Sequence, residues 1–179
     1  LWHSCFPEDT DKFIEYYYSE KTKDNRILVK KDSGLIVSMT QLNPYRVSMK
    51  DKEIETFYVV GVATDAGRRR EGHFRDVFLQ IMQDMNEEKV PFLFLMPADA
   101  NIYLPLDFAY MCELPLMELT REAKERLTAV VCHDNEEDCQ KAAEFMGQWL
   151  SARFDMYCLR DGAYVSRLLK ELDSENGIM

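Results

Sequence analysis

The sequence predicts an α/β protein built on one mixed sheet, antiparallel where the chain first forms strands and parallel where it returns. Three observations carry that expectation. Apolar stretches divided by turn signals fill residues 27–63, and the apolar spacing then turns helical at Phe74, Val77, Phe78, Ile81, Met82 and Met85. Last, Phe92-Leu93-Phe94-Leu95-Met96, apolar on both faces, stands between Pro91 and Pro97. Such a strand belongs inside a sheet covered on both sides, and strand-helix-strand order implies a parallel crossover.

The elements follow in order. Phe13, Ile14, Tyr17 and Tyr18 give residues 11–19 a helical spacing behind the caps Asp9 and Thr10. Ile27-Leu28-Val29 and residues 35–42 read as a hairpin turning at Asp32-Ser33-Gly34. A third stretch, residues 45–49, leads through Lys50-Asp51-Lys52-Glu53 into a longer strand, residues 54–63. The helix is expected from about Gly72 to Asn86, the both-faced strand over residues 92–96, a short helix over 100–106 and a strand at Tyr110-Met111-Cys112. Beyond Pro115, helices are expected over residues 135–153, with Ala142, Met146, Trp149 and Leu150 on one side, and over 161–172, with Val165, Leu168, Leu169 and Leu172. Gly177 is a stop signal.

Composition narrows the function. The chain has 179 residues, 46% hydrophobic and 30% charged, enough for a substantial core. Its 22 Lys and Arg against 32 Asp and Glu give a net charge of -10, which opposes nucleic acid and acidic membranes and favours cationic ligands. No apolar run reaches the roughly 20 residues of a bilayer span, and the start lacks the order of a signal peptide, so a cytoplasmic protein is expected. Cys5, Cys112, Cys132, Cys139 and Cys158 form no C-x-x-C pair, and with His3, His73 and His133 they give no metal-site spacing, so no metal is expected.

The chemistry concentrates between Val59 and Arg75. An apolar strand runs into the turn Gly67-Arg68-Arg69-Arg70-Glu71-Gly72, and an amphipathic helix opens directly from it. A helix start leaves several N–H groups unpaired and carries partial positive charge, which suits a pyrophosphate. Gly72 lets the backbone come close, and the arginines add counter-charge. The other reading is a solvated basic patch. Neither a Walker loop nor a G-x-G-x-x-G turn occurs.

Arg69-x-x-Gly72-x-Phe74 behind this strand resembles the acyl-CoA motif of the GNAT superfamily, written Gln/Arg-x-x-Gly-x-Gly/Ala, and departs from it at Phe74. Within that superfamily the sequence resembles the enhanced-intracellular-survival group, which has a large apolar residue there and an Arg-rich turn. That group also has a tyrosine in a segment like Ala98-Asp99-Ala100-Asn101-Ile102-Tyr103, followed by an aromatic residue where Phe108 stands. The resemblance covers roughly Leu1 to Pro115. It implies a GNAT-like acyl-CoA N-acyltransferase fold with helices on both faces and a C-terminal helical connector.

The same resemblance implies the roles. The backbone of Val62, Ala63 and Thr64 would pair with the pantetheine amides like an added strand. Arg70, Glu71, Gly72, His73, Phe74 and Arg75 would hold the pyrophosphate, and Ala98 and Asp99 would touch the cofactor where the parallel strands splay. Tyr103 would be the general acid, its phenol handing a proton to the departing thiolate; the other reading makes it a core aromatic. Asp107 stands where the family often has glycine. Glu53 and Glu55 are the acids nearest the position of a GNAT base, which Tyr58 occupies, and both also read as solvated strand-end charges. The cosubstrate implied is acetyl-CoA and the partner an amine acceptor; the sequence leaves a homo-oligomer open. The competing function is a catalytically inactive CoA-binding or assembly module.

The layout gives the domains. Residues 1–117 are expected as the acetyltransferase domain, lacking its first strand because Leu1-Trp2-His3 already reads as helical. Residues 118–179 are expected as a helical connector and the beginning of a second GNAT-like domain, the mark of a fragment of a longer protein.

Overall fold

The computed structural model describes residues 1–50, 52–113, 122 and 131–177. These divide into two compact units. One holds residues 1–95 together with the chain from Cys132 to Gly177; the other begins at Met96 and ends at Val131.

In the first unit β1 (Arg26–Asp32), β2 (Leu35–Met49), β3 (Lys52–Thr64) and β4 (Leu93–Phe94) lie side by side in that order, and β5 (Met156–Cys158) pairs with the far end of β2. β1, β2 and β3 are antiparallel neighbours, and β4 joins β3 in parallel. The mixed sheet expected from the sequence is therefore present. Ser33 and Gly34, both at positive φ, make the β1–β2 turn, as the Asp-Ser-Gly signal implied.

Helix α3 (His73–Glu87) packs on β1, β2 and β3. Its buried residues Val77, Phe78, Ile81 and Met85 recur at helical spacing, and Phe78 and Ile81 are fully buried. Each such side chain stabilises the fold by about 1.5–3 kcal/mol. Phe74 stacks on Phe78 with ring centroids 4.6 Å apart. The opposite face carries α1 (Trp2–Cys5) and α2 (Asp11–Glu20), whose Trp2, Tyr16 and Tyr17 form a second core with Met39 and Ala63. Thr10 caps α2 by accepting from the Phe13 N–H at 3.1 Å. Tyr17 donates to Asn43 at 3.0 Å and ties α2 to β2.

The chain from Cys132 adds α4 (Glu136–Ser151), β5 and α5 (Gly162–Ser174). Asn135 and Asp161 cap these helices through the N–H groups of Asp138 and Tyr164. Cys139, Ala143 and Val165 are the buried contact between α4 and α5. α5 lies along α2, where Arg167 pairs with Asp24 and Lys170 with Glu20.

Several expectations are corrected. Residues 45–49 are no separate strand, because β2 runs unbroken through Pro44. The strand at 92–96 shrinks to Leu93–Phe94, half-buried and at the edge of the sheet among the described residues. Pro91 and Pro97 shorten it, since neither can donate to a ladder. Tyr110, Met111 and Cys112 form no strand. Residues 100–106 form two 3₁₀ turns, Ala100–Ile102 and Leu104–Leu106, because Pro105 removes an N–H that a longer helix needs. Trp149 and Met82 are exposed rather than buried on their helix faces. Strand β5 had no forecast at all. The boundary expected between 117 and 118 lies outside the described residues.

Candidate functional site

Strand β3 ends in a bulge. Met39 pairs with Ala63 but Gln41 pairs with Val60, so Gly61 and Val62 together stand opposite Thr40. Gly61 has φ +61°, the left-handed conformation that a glycine bulge requires. The parallel ladder with β4 covers only Phe57–Leu93 and Tyr58–Phe94, while β3 runs on to Thr64. Val62, Ala63 and Thr64 therefore lie beyond the last β3–β4 pair, on a length of strand that β4 leaves open to an added strand. Tyr58 and Phe94, the last pair, stack with Tyr45 at centroid distances of 5.3 to 6.0 Å.

A tight turn follows. Asp65 donates its N–H to Val37 O at 2.9 Å and accepts from the Gly67 N–H at 2.9 Å, which anchors the 3₁₀ turn Ala66–Arg68 to β2. The Arg68 guanidinium pairs with Asp32 and, at 2.7 Å, with Glu71. It holds the Asp32 and Glu71 carboxyls below their ordinary range. His73 Nε2 closes the cluster, 3.2 Å from Glu71. Arg69 donates through Nε to Thr64 O at 3.3 Å. Arg70 takes φ +67°, and Arg70 and Arg75 are both exposed.

Helix α3 begins behind Gly72, which has φ +87° and supplies no capping side chain. An added Cβ there would meet nothing within 4 Å. The first turn of α3 thus faces open space, with Arg70 and Arg75 beside it and no ion pair on either among the described residues. Of the three arginines in a row, Arg68 is committed to Asp32 and Glu71, whereas Arg69, bonded only to the neutral Thr64 carbonyl, and Arg70 keep their charge for a ligand. The residues fit a pyrophosphate: an uncapped helix start, room above a glycine, and spare cationic charge.

The second unit holds Ala98, Asp99 and Tyr103. Asp99 caps the turn Ala100–Ile102, accepting from the Asn101 N–H at 3.0 Å. Tyr103 is 9% exposed and meets Phe108 edge-on at 5.7 Å. Asp107, where the resemblance expects glycine, has φ +62°. Aspartate tolerates that conformation better than most residues, so the turn survives the substitution.

A cavity of about 740 Å³ opens elsewhere in the first unit, beside the start of β3, lined by Tyr45, Arg46, Glu53, Glu55, Phe57 and Tyr164 among others. None of the expected cofactor residues lines it. Glu53 is bound to Arg46 at 3.5 Å. Among the described residues, no group of three or more metal-ligating side chains is placed to hold an ion, and no helix is long and apolar enough to cross a membrane.

The sequence model of the acetyltransferase (GNAT) domain family matches residues 1–111. The chain belongs to that family. The matched residues hold β1 to β4, the bulge of β3 and the turn into α3; β5 lies outside them. Solved structures agree on the fold. A probable N-acyltransferase of Enterococcus faecalis superposes with a TM-score of 0.55 at 17% identity, over 59% of this chain and 27% of the other. A predicted acetyltransferase of Clostridium acetobutylicum, solved with acetyl-CoA, gives 0.53 at 14%, over 62% of this chain and 76% of the other. The chain thus spans about a quarter of the first of these. No curated protein matches it.

Sequence reading missed α1 as part of this neighbourhood. Trp2 lies against Gly61, and the Cys5 thiol approaches Thr64 O at 3.6 Å. No local pattern points to either contact, because both join residues about 60 positions apart.

Proposed function

We propose that this GNAT domain transfers an acetyl group from acetyl-CoA to a primary amine by direct attack in a ternary complex. One observation carries the reading: β3 passes beyond its last β4 partner, through a glycine bulge, and into an uncapped helix start flanked by Arg70 and Arg75. The pantetheine arm would lie along Val62, Ala63 and Thr64, with its amides replacing the missing strand. The pyrophosphate would rest on residues 70–75, and the family resemblance adds Ala98 and Asp99 to the cofactor's contacts. Acetyl-CoA brings the thioester. Tyr103 would protonate the departing sulfur; the amine would arrive neutral and give the one proton it loses on attack to water, from which the Tyr103 phenolate would be reprotonated. The acidic chain favours a cationic acceptor such as a polyamine.

Residues 1–117 would form the transferring domain, and 118–179 a connector that opens a second GNAT-like domain and docks on the first sheet through β5. The narrower likeness to the enhanced-intracellular-survival group rests on the sequence motifs alone.

Titrating acetyl-CoA into the wild type and Gly72→Glu tests the cofactor site, and thiol release with a panel of primary amines tests transfer. Binding that Gly72→Glu abolishes is the expected result. Equal affinity for both proteins would remove the phosphate cradle, and absence of amine-dependent thiol release would leave the inactive CoA-binding module.

A further inference from the structure

The proposed cofactor track has a direction. With pyrophosphate at residues 70–75 and pantetheine amides along Thr64, Ala63 and Val62, the arm runs back along β3, and its thioester end points at Gly61 and Val60. What stands at that end decides how long an acyl chain fits.

Trp2 stands there. A Cβ built on Gly61 would lie 3.2 Å from Cζ3 and 3.4 Å from Cη2 of its indole, so the ring is seated on the Gly61 backbone in van der Waals contact. Val60 and Ala63, the residues flanking the bulge, pack into the same cluster. The indole has nowhere to go. It is 7% exposed, wedged between Phe6, Tyr17 and Tyr18 at centroid distances of 5.4, 4.8 and 5.6 Å. Its Nε1 donates to Asp9 Oδ2 at 2.7 Å, which fixes the ring's rotation as well as its depth. Leaving this position would break that bond and open a void among three aromatic rings.

We propose that the Trp2 indole, seated on the Gly61 bulge, is the stop that restricts the thioester to short acyl chains. This rests on the cofactor reading above. Gly61 is needed for the same arrangement, since any side chain there would press on the indole.

The test needs no acceptor. Isothermal titration gives the affinities of the wild type, Trp2→Phe and Trp2→Ala for free CoA, acetyl-CoA, butyryl-CoA and hexanoyl-CoA. One methylene without a place in an apolar pocket is worth about 10- to 200-fold. The wild type should therefore bind hexanoyl-CoA at least about tenfold more weakly than acetyl-CoA. Trp2→Ala should move that ratio by about tenfold or more toward hexanoyl-CoA, Trp2→Phe by less in the same direction, and free CoA should change little. Melting curves on the same samples establish that each variant is folded; Trp2→Phe keeps an aromatic ring in the cluster should Trp2→Ala not fold. A wild type indifferent to chain length, or an unchanged ratio in a folded variant, overturns the stop alone. A wild type that binds no CoA at all overturns the cofactor reading and this inference with it.

Discussion

Arg68 and Asp32 form an ion pair that ties the turn ahead of α3 to the end of β1. The bond commits Arg68 to the protein's own carboxylates, so its charge serves the turn rather than a ligand. Arg70→Ala should weaken acetyl-CoA binding and flatten its dependence on salt, because it removes a spare cation beside the phosphates. Arg68→Ala should leave the salt dependence close to that of the wild type and act through the turn. Titrations of both variants at two ionic strengths separate the roles, and identical salt slopes for Arg70→Ala and wild type would remove Arg70 from the cradle.

Phe78 anchors α3 to the sheet with no exposed surface. Phe78→Ala should cost about 3–5 kcal/mol, the transfer of a benzyl group plus the cavity it leaves. Phe78→Asp should leave no folded protein, since a buried unpaired carboxylate is worse still. Urea denaturation gives the first value, and a Phe78→Asp protein with wild-type melting would disprove the assigned helix face.

Gly61→Ala meets two obstacles at once. A left-handed backbone costs a non-glycine residue about 1–2 kcal/mol, and the new methyl presses on the Trp2 ring at 3.2 Å. Both destabilise, so the melting temperature should fall by more than the backbone cost alone, and in a chain that already carries Trp2→Ala the same glycine substitution should cost less. A Gly61→Ala variant as stable as wild type would mean that the bulge relaxes freely.

Tyr103→Phe keeps the ring and its contact with Phe108 and removes only the hydroxyl. If the phenol protonates the thiolate, kcat should fall about 100- to 10,000-fold while acetyl-CoA affinity holds. A core tyrosine would instead lose about 1–3 kcal/mol of stability and keep its kcat. Thiol release and melting curves on one variant decide between them.

Burial pushes the Tyr17 phenol up to about 12, against a weaker opposing effect from its bond to Asn43, and pushes Tyr16 and Tyr45 in the same direction. The unfolded chain ionises near 10.0 while the folded protein stays protonated. The Tyr17 contribution is therefore complete below pH 10 and is lost as the pH climbs to about 12, while those of Tyr16 and Tyr45 go on falling beyond it. Each group still protonated in the fold adds a slope of at most about 1.4 kcal/mol per pH unit. Denaturation midpoints at rising pH should drop in this window, and Tyr17→Phe should drop less steeply.

The amphipathic period of α3, the cap Thr10, the helix starts near Asn135 and Asp161, and the turn at Ser33-Gly34 were all legible in the residues. Each is set by interactions within a few positions, where spacing alone says which side chains meet. The Arg-Gly turn into a helix was legible for the same reason, and the phosphate site proposed above was read from it.

Only the tertiary structure decided the rest. The bulge at Gly61 depends on a register between β2 and β3, the end of the β4 ladder at Tyr58 depends on where two distant strands diverge, and the seat of Trp2 on Gly61 depends on α1 folding back over β3. So does the sorting of the three arginines, because Asp32 lies far from Arg68 in sequence. Such contacts are fixed by how whole elements pack and by which polar groups must find partners. No local pattern encodes them, so the sequence named the chemistry of the turn, and the fold chose which residues are free to perform it.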